Sequence, residues 1–165
     1  MADPIRIAVL GELAPGERRV AATPDSVRKL KALGAEVAVE SGAGAGASQG
    51  DDAYAAVGAS ITSRADALKA ADILLAVQPP PAASLTGAKP GALLIGALDP
   101  LADRSRIDAY AKAGLDALAM EWMPRITRAQ SMDVLSSQTN LAGYLAVIAS
   151  AGTYGRASPM MMTAA

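Results

Sequence analysis

The chain has 165 residues, a formal net charge of -1, no cysteine and no histidine. That length fits one domain built on a single wound sheet, and so even a charge balance offers no basic surface for nucleic acid. Lacking thiols and imidazoles, it excludes disulfides, thiolate nucleophiles, a Ser-His-Asp triad and an ordinary zinc site.

The first residues, "MADPIRIAVLGE", lack the apolar stretch of a signal peptide. Within them Ile5 to Val9 reads as a strand. "TPDSVRKLKALG" then predicts a helix with Thr23 as N-cap, Pro24 at the first position and Gly34 as the stop. "EVAVE", Glu36 to Glu40, is a second strand. A helix over Asp51 to Val57 precedes a short strand near Ile61, and a helix over Arg64 to Ala71 precedes the strand Asp72 to Val77. Pro79, Pro80 and Pro81 make a stiff extended loop. Ala92 to Leu98 is a strand, Ala102 to Ala113 a helix ended by Gly114, and Leu115 to Met120 another strand. The last helix starts between Arg128 and Gln138 and runs to about Ser150. No run reaches the roughly 18 apolar residues of a membrane span, because the longest, Leu141 to about Ala151, is interrupted by Gly143, Tyr144 and Ser150. Direct membrane insertion is not expected. Short strands alternating with helices imply an α/β fold, a wound parallel sheet with helices on both faces in flavodoxin or Rossmann style. The closing "SPMMMTAA" has no charged tail and no terminating element, as expected of a cut chain.

Three stretches invite a chemical reading. In "SGAGAGASQG" Gly42, Gly44 and Ala47 satisfy the pattern G-x-G-x-x-G/A, but the acid about 20 residues on, Asp66, falls in a predicted helix rather than at a strand end. A flexible Gly/Ala turn with no cofactor is the better expectation. In "GERRVAATP", Arg18 and Arg19 are suited to clamp a carboxylate or phosphate, or to pair with nearby acids such as Glu17. The third is "RITRAQSMDVLSSQTNLAGY", residues 125–144, where polar groups crowd an otherwise apolar chain. Thr127 and Gln130 form a capping box, and Asp133 and Ser136 are alternative helix caps. A helix start uses only one or two side-chain acceptors, which leaves Arg125, Arg128, Ser137, Gln138 and Asn140 unexplained. The stretch follows a strand end, where wound sheets place ligands.

"GELAPGERRVAATPDSVRKL", "GAEVAVESGAGAGAS", "DDAYAAVGASI" and "ADILLAVQPP" together resemble the N-terminal domain shared by alanine dehydrogenase and the alpha subunit of the proton-translocating nicotinamide nucleotide transhydrogenase, and "PRITRAQSMDVLSSQTNLAGY" is similar to the transhydrogenase specifically. The resemblance covers essentially all of residues 1–165, read as one such domain that stops short of the family's second, dinucleotide-binding domain. It implies that Arg125, Gln130 and Asp133 belong to a loop at a hydride-transfer site. Arg125 and Asp133 would orient the nicotinamide end of NAD(H), Gln130 would reach toward NADP(H) on a partner domain, and Ser136 and Tyr144 would support the loop. Ile126, Thr127 and Arg128 complete the implied cofactor-binding segment. Alanine dehydrogenases similar to this chain use a histidine and a lysine for proton transfer. This chain has no histidine, and Gln78 stands where that lysine aligns, so amino-acid deamination is disfavoured. Hydride exchange between two nicotinamides needs no general acid or base, only two rings held face to face. The implied setting is a homodimer on the cytoplasmic face of the membrane, held there by an NADP(H)-binding domain and a membrane-spanning subunit. The implied activity belongs to the larger assembly, and the 165-residue chain alone is expected to be inactive. A non-catalytic dimerisation or docking module is the alternative.

Overall fold

A computed structural model describes residues 3–156, so Ser158 to Ala165 lie outside the described residues. The chain divides after Trp122 into two units. In the first, β1 (Arg6–Val9), β2 (Glu36–Glu40), β3 (Ser60–Thr62), β4 (Ile73–Leu75), β5 (Leu93–Gly96) and β6 (Asp116–Ala119) form one sheet in the order β3-β2-β1-β4-β5-β6. Every pairing is parallel. Parallel neighbours need long crossovers, supplied by α1 (Pro24–Ala32), α2 (Asp51–Ala56), α3 (Arg64–Ala70) and α4 (Arg104–Lys112). Of the two expected windings, this strand order is the Rossmann one. The β4–β5 link instead runs through the three prolines into a 3-10 turn at Ala82–Leu85.

Side-chain alternation along the strands builds two cores. Ile7 and Val9 join Val37, Val39, Val27 of α1 and Tyr54 of α2 on one face. On the other, Ala8 and Leu10 join Leu68 of α3, Leu74, Leu94 and Tyr110 of α4. A central parallel strand buried on both faces must be apolar throughout, as "IAVL" is from Ile7 to Leu10.

The helix starts follow from side-chain acceptors. Thr23, Ser63 and Asp103 each accept from the backbone N–H three residues on. α4 begins at Arg104, two residues later than expected, because the Asp103 carboxylate takes that N–H. Gly34 closes α1 at φ +92, a left-handed position that favours glycine.

The Gly/Ala run after β2 departs from expectation: it is a packed seam rather than a flexible turn. A Cβ on Gly44 would lie 2.5 Å from the Gln49 carbonyl oxygen and 2.7 Å from the Tyr54 ring, and one on Gly46 would lie 2.9 Å from the Arg18 carbonyl oxygen. Tyr54 is fully buried and donates its hydroxyl to the Ala22 carbonyl at 2.9 Å. The small residues let this aromatic ring sit beneath the loop.

In the second unit a 3-10 segment, Thr127–Met132, leads into α5, Val134–Thr153. Thr127 lies inside the 3-10 segment and Ile126, ahead of it, makes no side-chain cap, so the expected Thr127/Gln130 capping box does not form. Asp133 takes the role instead. Among the described residues no helix is long and apolar enough to cross a membrane.

Candidate functional site

β1 pairs with β2 on one side and β4 on the other, so the chain reverses its direction of winding at the β1/β4 junction. The crevice outside the carboxyl ends at such a reversal is where wound sheets take ligands. Here a row of glutamates fixes the loops. Glu40, ending β2, accepts from Gly11 N at 2.7 Å, and Glu12, after β1, accepts from Val77 N at 2.6 Å and Gln78 N at 3.0 Å beyond β4. Glu121, after β6, accepts from Leu98 N at 3.1 Å and from Asp99 N beyond β5. In each case a carboxylate from one strand end holds backbone donors at the neighbouring strand end. Asp99, held this way, adopts φ +44, a left-handed conformation that aspartate tolerates better than most residues. Arg64 adds a further tie, with Nε 3.1 Å from Glu40 Oε1 and Nη2 2.5 Å from the Gly11 carbonyl oxygen.

Glu17 lies deeper in the same edge. It accepts from Arg19 N at 2.9 Å, Arg19 Nε at 2.8 Å and Gln78 Nε2 at 3.0 Å. These bonds, those of the Arg19 side chain first, hold its carboxyl at about 2. Of the two expectations for the arginine pair, Arg19 thus pairs with a nearby acid.

The second unit carries every residue of the expected hydride-transfer loop. Thr127, Arg128 and Gln130 sit on the 3-10 segment, with Arg125 and Ile126 just before it. Asp133 accepts from Leu135 N at 3.0 Å, Ser136 N at 3.1 Å and Ser136 Oγ at 2.6 Å. The Ser136 hydroxyl and amide lower its carboxyl below the ordinary range, with Arg125 adding a smaller attraction. An open groove along the start of α5 is lined by Arg125, Ser136 and Tyr144 together with Leu135, Thr139, Asn140 and Gly143. Three expected residues therefore share one groove. Ile126, Thr127, Arg128, Gln130 and Asp133 do not line it, although Asp133 fixes Ser136, which does. Thr139 and Gly143 escaped sequence reasoning. The signal was available in their spacing, since Ser136, Thr139, Asn140, Gly143 and Tyr144 recur three and four apart, along one helix face.

The groove offers a guanidinium from Arg125, an amide from Asn140 and hydroxyls from Ser136 and Tyr144. Such a set binds polar oxygens and carboxamides but carries no group that titrates near neutral pH. Among the described residues no three carboxylates, cysteines or histidines cluster to hold a metal.

The alanine dehydrogenase/PNT N-terminal domain family matches residues 8–142. The chain is 52% identical to the first portion of the split NAD(P) transhydrogenase subunit alpha of Rhodospirillum rubrum, over 98% of this chain and 44% of that protein. Alanine dehydrogenase of Mycobacterium tuberculosis is 34% identical over 91% of this chain and 40% of its own length. Among solved structures, a transhydrogenase from Sinorhizobium meliloti superposes with a TM-score of 0.90 at 52% identity, covering 96% of this chain and 48% of that one. An L-alanine dehydrogenase does so with a TM-score of 0.67 at 32% identity, covering 71% and 32%. The chain thus spans less than half the length of these relatives. With the match running from β1 into α5 and the Rossmann strand order in place, this chain belongs to the family of N-terminal domains shared by alanine dehydrogenase and PNT.

Proposed function

We infer that residues 1–165 form the N-terminal domain of the NAD(H)-binding component of a proton-translocating transhydrogenase, which passes hydride between NADH and NADP+ as protons cross a membrane. The groove on α5 carries this reading: a guanidinium, an amide and two hydroxyls converge there without an acid/base pair, as suits hydride exchange between two nicotinamides and does not suit deamination. Arg125 and Tyr144 make no side-chain hydrogen bond among the described residues, so their donors are free for a cofactor; the Ser136 hydroxyl is committed to Asp133. A nicotinamide cofactor supplies the transferable hydride when bound. The chain's own residues bind and orient it, Arg125 and Tyr144 by donating to its polar groups and Asp133 by fixing the start of α5. Gln130, exposed on the 3-10 segment, reaches toward the NADP(H)-binding partner domain. In this reading the component is a homodimer at the cytoplasmic face of a membrane-spanning subunit, and residues 1–165 alone are inactive.

Gln130→Asn tests the reading, in a chain extended through the dinucleotide-binding domain and mixed with its NADP(H)-binding partner. The substitution shortens the amide by one methylene. Loss of one positioning hydrogen bond at a hydride-transfer geometry costs roughly 1.5–4 kcal/mol in the transition state, about ten- to a thousandfold in rate. NADH affinity is expected to change less than about fivefold. An unchanged single-turnover rate overturns the role given to Gln130.

A further inference from the structure

Two side chains from different loops meet on one oxygen at the β1/β4 switch point. Glu17 Oε2 accepts from Arg19 Nη2 at 2.5 Å and from Gln78 Nε2 at 3.0 Å. Donors sharing one acceptor lie within about 5 Å of each other. The acid beneath is covered, its side chain 9% exposed, whereas 45% of the Arg19 side chain is open to solvent. Glu12 fixes the loop on the far side by taking the Val77 and Gln78 amides. Both presented side chains are therefore positioned by buried or half-buried carboxylates rather than by chance rotamers.

The carboxylate also sets the orientation of the Gln78 amide. An ionised carboxylate only accepts, so the NH2 end must face Glu17 and the Oε1 end must face away. Glu17 cancels the charge of Arg19, and its carboxyl stays ionised down to about 2. What the crevice meets is an electrically balanced pair, a guanidinium edge that donates and an amide oxygen that accepts. A primary carboxamide is complementary to this arrangement, since its carbonyl accepts and its NH2 donates. A carboxylate is not, because it has no proton for Gln78 Oε1 and is repelled by Glu17. A lysine at this position would reverse the choice, replacing an acceptor with a cation.

The geometry points to Arg19 and Gln78 as a recognition pair for a neutral primary carboxamide, with Gln78 setting the preference over carboxylates. Equating that carboxamide with a nicotinamide rests on the functional reading above.

Nicotinamide and nicotinate, titrated into the 165-residue chain at pH 7 and followed by backbone amide NMR, test the pair. Nicotinamide is expected to shift the Arg19, Val77 and Gln78 amides saturably and to bind about five- to tenfold more tightly than nicotinate. Gln78→Lys is expected to invert that order. Gln78→Leu, which adds no charge that might disturb the fold, is expected to abolish the discrimination while leaving the remaining spectrum in place. Equal or tighter nicotinate binding by the parent chain overturns the proposal, as does the absence of saturable shifts with either compound, or discrimination that survives Gln78→Leu. Hydride transfer that depends on Gln130 without any carboxamide selectivity at Gln78 leaves the functional reading standing and sinks this one.

Discussion

Gly44→Ala separates a packing role for the glycine-rich loop from a nucleotide-binding one. The backbone at Gly44, φ -89 and ψ -5, is open to alanine, so conformational strain contributes nothing. The cost is steric. The new Cβ would stand 2.5 Å from the Gln49 carbonyl oxygen, 2.9 Å from Gln49 Cβ and 2.7 Å from the Tyr54 ring. Neither neighbour gives way cheaply, because Gln49 N is bonded to the Gly44 carbonyl at 2.9 Å and the Tyr54 hydroxyl to the Ala22 carbonyl at 2.9 Å. Overpacking of this kind costs about 1–3 kcal/mol, and displacing the buried hydroxyl adds about 1 kcal/mol. Lower entropy of the unfolded chain returns roughly 0.4–1 kcal/mol. The net loss is about 2–3 kcal/mol, or a Tm drop of roughly 4–12 °C at this chain length. Urea unfolding followed by far-UV circular dichroism measures it, the midpoint falling by about 1 M. A glycine kept for close approach of a pyrophosphate predicts the opposite: unchanged unfolding and lost nucleotide affinity. A midpoint indistinguishable from that of the parent chain refutes the packing account.

Tyr54→Phe leaves the buried Ala22 carbonyl without its donor and is expected to cost about 1–3 kcal/mol by the same urea assay; no loss would mean that the carbonyl finds another donor. For Glu17, a folded-state value of about 2 against an ordinary 4.5 is a depression, so its contribution to stability is present above the ordinary value and disappears as pH falls through about 2. Since Arg19 is 45% exposed, solvent screening reduces that contribution to about 1–2 kcal/mol. Glu17→Gln should destabilise the chain at pH 7 and converge with the parent near pH 2; a gap of equal size at both pH values argues against the ion pair. Asp133→Ala is expected to speed hydrogen exchange at the Leu135 and Ser136 amides, whereas Asp133→Ser, which restores a short acceptor, keeps their protection. Equal exchange in both variants would show that the carboxylate does not hold the start of α5.

Local signals carried most of the fold. All six strands and all five helices fall where alternation, caps and glycine stops place them, because each depends on neighbours within a few residues, as Thr23 and Gly34 show for α1. The shortfalls are contacts between distant segments. Nothing near Gly44 in sequence reveals that the Tyr54 ring sits against it, and nothing beside Thr127 reveals that Asp133 takes the helix start. The polar composition of residues 125–144 was plain, yet only helical spacing separates Ser136 and Tyr144, which line the groove, from Thr127 and Arg128, which do not. The pairing of Arg19 with Glu17 and Gln78 joins residues up to 61 positions apart, beyond the reach of any local pattern.

Glutamates that reach across to the next strand end make the loops at this edge of the sheet interdependent. Glu12 serves the loop after β4, Glu40 the loop after β1, and Glu121 the loop after β5. A loop transplanted alone from a relative therefore arrives without its fastener, which stays behind on the neighbouring segment, and it takes away the fastener that its own neighbour needs. Chimeras built by exchanging single loops should fail in pairs: the grafted loop and the one it was holding loosen together. Swaps of adjacent loops as a set keep both. Variation along this edge is then inherited in blocks that are contiguous across the sheet rather than along the chain.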